Sequence, residues 1–281
     1  MPSQNSPLPE IQALLTGLAM GESPRWHQDR LWLSDWGAQE IVAVDLDGNR
    51  EVEVKTSFGL PFCIDWLPDG RLLIVSGREG LLLRRETDST LTMFADLRSL
   101  SDSAWNEIVV DGRANIYING GPGIIALVSP NGSVRQVADG IAFPNGVAVT
   151  PDNSTLIIAE SHGKRLTAFD ITADGSLSNR RLWADLGDGA PDGICIDAEN
   201  AVWYADVPNK RCVRVREGGE VLQTINFDRG CFACMLGGVN KRTLFVIATE
   251  WRGMENIGEV AQARTGQVLS TEVSVPGAGW P

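Results

Sequence analysis

A chain of 281 residues with 36 acidic and 24 basic side chains carries a net charge of −12, which argues against nucleic acid and anionic membrane surfaces as partners. Thirty Gly and 14 Pro fit a polypeptide made of tight turns, and no stretch shows a sustained helical period, a low-complexity composition or a linker. The chain is read as one domain over residues 1–281, long enough for a sizeable core.

In chain order the strands fall into a repeat. Glu22-Ser23-Pro24-Arg25-Trp26 enters a strand, and Leu31–Ser34 returns, ending at Asp35-Trp36. Phe62–Leu67, a Pro68-Asp69-Gly70 turn and Leu72–Ser76 form a second copy, and Asn106–Val110 with Asn115–Asn119 a third. In the fourth, Phe143–Ser161, Asn145-Gly146 leads into an apolar run, Pro151-Asp152-Asn153 turns, and Leu156–Ala159 returns. Asp192–Ile196 with Val202–Asp206 is the fifth, and Phe232–Leu236 with Leu244–Thr249 the sixth. Weaker strand pairs follow each hairpin, several split by Asp47-Gly48, Asn131-Gly132 or Asp174-Gly175. Strands near Gly258–Ala263 and Val268–Val275 are expected to close the set with one from Ile11–Leu18.

The hairpin entrances stand at residues 22, 62, 106, 145, 192 and 232, spaced by 40, 44, 39, 47 and 40. That period is one four-stranded blade of a propeller. The fold expected is therefore all-β: a six-bladed β-propeller of four-stranded antiparallel blades.

No Lys or Arg precedes Arg25, and Leu14–Met20 is too short and too interrupted for a signal peptide or membrane span. With an odd number of cysteines, Cys63, Cys195, Cys212, Cys231 and Cys234, this points to a reduced, cytoplasmic protein. Cys231 and Cys234 have no second pair beside them and are read as core cysteines facing opposite sides of a period-two strand.

In a propeller, equivalent residues at the start of each inner strand ring the axis. Here the ring reads Glu22, Phe62, Asn106, Asn145, Asp192 and Phe232. Two carboxylates and two amides converging on one axis repel or go unsatisfied unless water or a cation joins them. Oxygen donors without His or Cys select Ca²⁺, Mg²⁺ or Mn²⁺, and with only His27 and His162 in the chain a three-histidine zinc site is excluded.

These residues resemble a known family. Gly21-Glu22-Ser23-Pro24-Arg25-Trp26, Pro144-Asn145-Gly146 followed by Thr150-Pro151-Asp152, and Pro191-Asp192-Gly193 are similar to signatures of the gluconolactonase, senescence marker protein and luciferin-regenerating enzyme family. Cys234–Gly238 followed by Thr243–Thr249 matches its last blade more weakly. The resemblance implies a six-bladed propeller whose metal ligands are Glu22, Asn145 and Asp192, with Asp192 as general base. It implies one divalent cation, usually Ca²⁺, with Zn²⁺, Mn²⁺ or Mg²⁺ accepted by some members. Gluconolactonase-like members carry an Arg before the third entrance; here that position is Ala104 in Ala104-Trp105-Asn106-Glu107, which puts a sugar lactone in doubt.

Three side-chain ligands leave room for water and a substrate carbonyl, so the expected activity is lactone opening by metal-activated water. Trp36, Arg78, Asn119, His162, Asp206 and Trp251 are expected near the mouth, with Met254 and Glu255 in a lid. Asn106, Trp105, Trp36, His162, Phe143 and Trp251 are the candidate substrate contacts, suiting a lactone or ester more apolar than a sugar. The alternatives are hydrolysis of organophosphate or other esters at the same centre, a metal-free condensation of the strictosidine synthase type, and a non-catalytic calcium-binding propeller.

Overall fold

The computed structural model describes residues 10–279. They form six four-stranded antiparallel sheets. The innermost strands of the blades are Gly21–His27, Phe62–Trp66, Trp105–Val110, Pro144–Val149, Pro191–Ile196 and Gly230–Gly237. Each packs on the next, and the sixth returns to the first, which makes the sheets the blades of a closed β-propeller.

Five blades are consecutive meanders. The sixth takes Gly230–Gly237, Thr243–Thr249 and Gly266–Glu272 from one end of the chain and Gln12–Leu18 from the other, the last pairing antiparallel with Gly266–Glu272. The expected closure of the ring by an early strand is therefore what occurs.

One expected strand is corrected. Residues 258–263 lie in a helix, Ile257–Ala263, after a single turn of 3-10 helix at Met254–Asn256. Val260 is its buried residue, and Ala261 lies against Gly37, so one short face covers the propeller. At seven residues the segment is too short for its period to stand out.

Inner strands are buried along most of their length, as in Phe62–Trp66, because neighbouring blades cover both faces. Outer strands such as Arg50–Lys55 are exposed or half-buried throughout. The core is accordingly a ring of wedges between blades. One holds Cys63, Trp105 and Ile118 between the second and third blades, and another Tyr117, Val147 and Phe169 between the third and fourth.

All five cysteines are buried and free. Cys231 and Cys234 do not face opposite sides, however. A β-bulge between Cys231 and Ala233 shifts the side-chain phase, and both thiols enter the same core wedge with Cys195 and Cys212. The Cys195 and Cys234 sulfurs lie 4.0 Å apart. No described helix is long and apolar enough to cross a membrane.

Candidate metal centre and substrate cavity

A cavity of about 740 Å³ opens at one end of the propeller axis, with Glu22, Asn106, Asn145, Asp192 and Phe232 in its lining. These are five of the six entrance residues. The local cause is a bulge: the ladder slips between Glu22 and Arg25, Trp105 and Ile108, Pro144 and Val147, Pro191 and Ile194, and Cys231 and Ala233. An extra residue at a strand's start bends the chain and re-aims the side chain. The second blade lacks the bulge, pairing regularly from Phe62 and Ser76 onward. Phe62, expected in the ring, is instead fully buried with Ile64 and Trp66 between blades.

Asn145-Gly146 and Asp192-Gly193 lie inside strands, where each glycine admits close approach of the next blade. A Cβ on Gly146 would stand 2.5 Å from Asp192 O and from Ile194 N, and one on Gly193 would stand 2.6 Å from Ala233 Cβ. Gly146→Ala is expected to destabilise the fold by about 1–3 kcal/mol through overpacking. It should also lower activity, because the strand that must move carries Asn145. Urea unfolding alongside a rate assay checks both effects.

Hydrogen bonds fix the polar floor. Asn119 Nδ2 donates to Asn145 O at 2.7 Å, and Asn106 Nδ2 donates to Pro144 O at 3.3 Å and Asn145 Oδ1 at 3.4 Å. The Ser161 hydroxyl donates to Pro191 O at 2.6 Å and accepts from Asn145 Nδ2 at 3.4 Å, tying the strand of Asn145 to that of Asp192. Glu22 Oε2 accepts from Ser23 N at 3.0 Å. Ser23 holds a left-handed φ of 51° at the bulge, its hydroxyl accepting from Ile64 N at 3.0 Å.

Beneath the floor lies a carboxylate to which the sequence reading gave no role. Glu107 accepts from Ser23 Oγ at 3.1 Å, Arg25 Nη2 at 3.2 Å and Ile108 N at 3.0 Å, and both charged residues are buried. The available signal was an Arg three positions after Glu22 and a Glu one after Asn106, opposite charges in strands buried on both faces. Burial pushes the Glu22 carboxyl well above its ordinary range, and the negative charges of Asp192 and Glu107 push it further. Burial and then Glu107 likewise raise Asp192, against a hydrogen bond from Asn145.

The cavity walls carry most of the expected substrate contacts. Trp36, Phe143, His162 and Trp251 all line it. Phe143 stacks on His162 with ring centroids 4.4 Å apart, and Phe232 meets Trp251 edge-on at 5.3 Å. Trp36 Nε1 donates to Phe62 O at 2.6 Å, which turns the indole across the second blade. Trp105 is a correction: the bulge that brings Asn106 to the axis leaves the preceding indole fully buried between blades, outside the cavity lining. Two more expected mouth residues are not in that lining. Asn119 is turned under Asn145, and Asp206 is spent on Arg211 Nε at 2.9 Å and Asn209 Nδ2 at 2.9 Å. Arg78 and Met254 are in the lining; Glu255 is not.

The donor set fits a hard divalent ion. The buried Glu22 carboxylate, the half-buried Asp192 carboxylate and the Asn145 amide border the same cavity, and among the described residues no Lys or Arg forms an ion pair with Glu22 or Asp192. No three described His, Cys, Asp or Glu side chains form a metal cluster by themselves; an amide has to supply the third donor.

A six-bladed propeller with acidic and amide oxygens at the foot of an axial cavity defines the class. Residues 20–250 match the family model described as SMP-30/Gluconolactonase/LRE-like region, and the chain belongs to that family. It is 24% identical to regucalcin of Xenopus laevis over 271 residues, 89% of each chain. It is 24% identical to pentonolactonase XacC of Haloferax volcanii over 246 residues, 75% of this chain and 81% of that one. Among solved structures, luciferin-regenerating enzyme superposes with a TM-score of 0.82 at 18% identity, covering 96% of this chain and 97% of the other.

Proposed function

We propose that the protein is a divalent-metal-dependent hydrolase that opens the ring of a lactone more apolar than a sugar lactone. The observation that carries this is the meeting of Glu22, Asn145 and Asp192 in a cavity walled by Trp36, Phe143, Phe232 and Trp251. Membership of the SMP-30/gluconolactonase family and similarity to a protein named as a pentonolactonase support lactone hydrolysis.

Glu22, Asn145 and Asp192 would hold the ion, Ca²⁺ being favoured by carboxylate and amide oxygens. A bound ion would supply Lewis acidity toward a carbonyl oxygen and toward water. Asp192 is the general base: a carboxylate oxygen takes the proton of the attacking water as its oxygen joins the carbonyl carbon. When the ring C–O bond breaks, that proton passes to the departing alkoxide, giving the hydroxy acid. Asn106, whose Nδ2 is held only by bonds of 3.3–3.4 Å to Pro144 O and Asn145 Oδ1, would offer its amide to the lactone. The Phe143–His162 stack and Trp251 offer aromatic faces to an apolar ring.

Ala104 lines the cavity where a gluconolactonase would offer a guanidinium to sugar hydroxyls. In a pH-stat panel, kcat/KM for dihydrocoumarin should exceed that for gluconolactone by about tenfold or more, roughly the penalty of leaving polar hydroxyls unpaired. Preference for gluconolactone would sink the apolar assignment, and failure to hydrolyse any lactone would sink the activity.

A further inference from the structure

Arg78 is the only Lys or Arg among the described residues lining the axial cavity. It follows the second strand of the second blade, Leu72–Ser76, in the turn where Gly80 N donates to Gly77 O. In a chain with a net charge of −12, positive groups are normally neutralised at once, and here almost every arginine has an acid within ion-pair distance. Arg78 and Arg242 are the two that have none among the described residues, and only Arg78 faces the cavity.

Its nearest acid in sequence is already engaged. Glu79 accepts from Gly59 N at 2.9 Å through one oxygen and from the Ser76 hydroxyl through the other. The Arg78 stem lies on Gly59, where an added Cβ would come within 2.7 Å of Cδ. The side chain thus has a backbone shelf and an exposed position, and among the described residues no acid stands within ion-pair distance of it, although the Glu79 carboxylate feels its charge at longer range.

We infer that Arg78 docks an anionic group on the substrate, so that the natural ligand combines an apolar ring with a carboxylate, sulfonate or phosphate. Guanidinium forms forked hydrogen bonds with these oxyanions. An ion held by Glu22 and Asp192 would cancel their two charges, leaving Arg78 as the cavity's net charge and giving an entering anion its orientation. What happens to the bound molecule rests on the hydrolase reading above; the recognition does not.

The test uses calcium-loaded protein with dihydrocoumarin, its ring carboxylate and its ring sulfonate as substrates. The non-hydrolysable ketone 2-tetralone and its ring carboxylate serve as calorimetric ligands. Wild-type protein should favour each charged ligand over its neutral parent by about tenfold, the scale of one charge-assisted hydrogen-bonding pair. Arg78→Gln should erase that ratio, chiefly through KM, Arg78→Lys should restore part of it, and added salt should erode it. No turnover, with the binding preference present in wild type and absent from Arg78→Gln, would keep the anion site and remove the hydrolase. Equal binding of charged and neutral ketone by wild type, or a preference that survives Arg78→Gln, overturns the anion site whatever the turnover.

Discussion

Asp192→Asn is expected to lower kcat for lactone opening by about a thousandfold, within the range for loss of a general base. The change is nearly isosteric and keeps an oxygen at the foot of the cavity, so the loss should fall on kcat more than on KM. The same substitution should make the metal-free protein more stable at neutral pH. It removes one of two crowded carboxyls that repel each other and Glu107. The gain in stability should come with a much weaker thermal response to Ca²⁺. Lower activity with higher metal-free stability separates a residue kept for chemistry from one kept for packing. A variant that retained activity within about tenfold of wild type would remove Asp192 from the role of base.

Stripping the metal with a chelator should invert the usual dependence of stability on pH. Unfolded Asp and Glu titrate near ~3.9 and ~4.3. Glu22 and Asp192 titrate well above that when folded, so the native chain holds protons that the unfolded chain has released. Metal-free stability is therefore greatest below the unfolded values and falls as pH rises toward the folded ones. Asp65 acts in the same direction over a narrower window. Burial raises it to about 6, although Arg25 and the amides of Trp66 and Val110 pull it back. Glu160 opposes at the acid end. Burial alone would raise it, but Arg165, Thr167 and Ala142 N outweigh burial and hold it at about 2, so its contribution is lost as pH falls toward that value.

The metal-free protein should consequently be most stable near about pH 4, where unfolded Asp and Glu titrate, and lose stability as pH rises above it. Calcium at about a hundred times its Kd adds ~2.7 kcal/mol. For a chain of this size that is a rise in melting temperature of about 5 °C. The rise should grow with pH, because the ion must displace protons from its ligands. Calorimetry at a series of pH values with and without Ca²⁺ measures both trends. A metal-free protein that grew steadily more stable from about pH 5 to 8 would mean the carboxyls are not held as described.

The propeller was legible because its signal is repetition: hairpins of one grammar recur at the period of a blade, and the strand near Ile11–Leu18 was left over to complete the last sheet. The convergence of Glu22, Asn145 and Asp192 on one cavity was legible for the same reason, since equal phase in a repeat means nearness about the axis. What the sequence hid were departures from that phase. Phe62 occupies the equivalent position but lacks the bulge, and so turns into a wedge. Trp105 sits one residue before a bulge and turns the other way. Cys231 and Cys234 share a wedge for the same kind of reason. A slipped rung depends on how neighbouring blades crowd the strand, and strand pattern alone carries no record of it. The helix Ile257–Ala263 escaped because one buried valine is too little pattern to read.

The sixth blade joins the earliest of the described strands, Gln12–Leu18, to the last, Gly266–Glu272. On a ribosome the first partner emerges long before the second exists, so a growing chain can only be an open arc with an unpaired edge at each end. Closure waits for nearly the whole polypeptide and then has to span it, which makes the final step slow and leaves those edges exposed to other chains in the meantime.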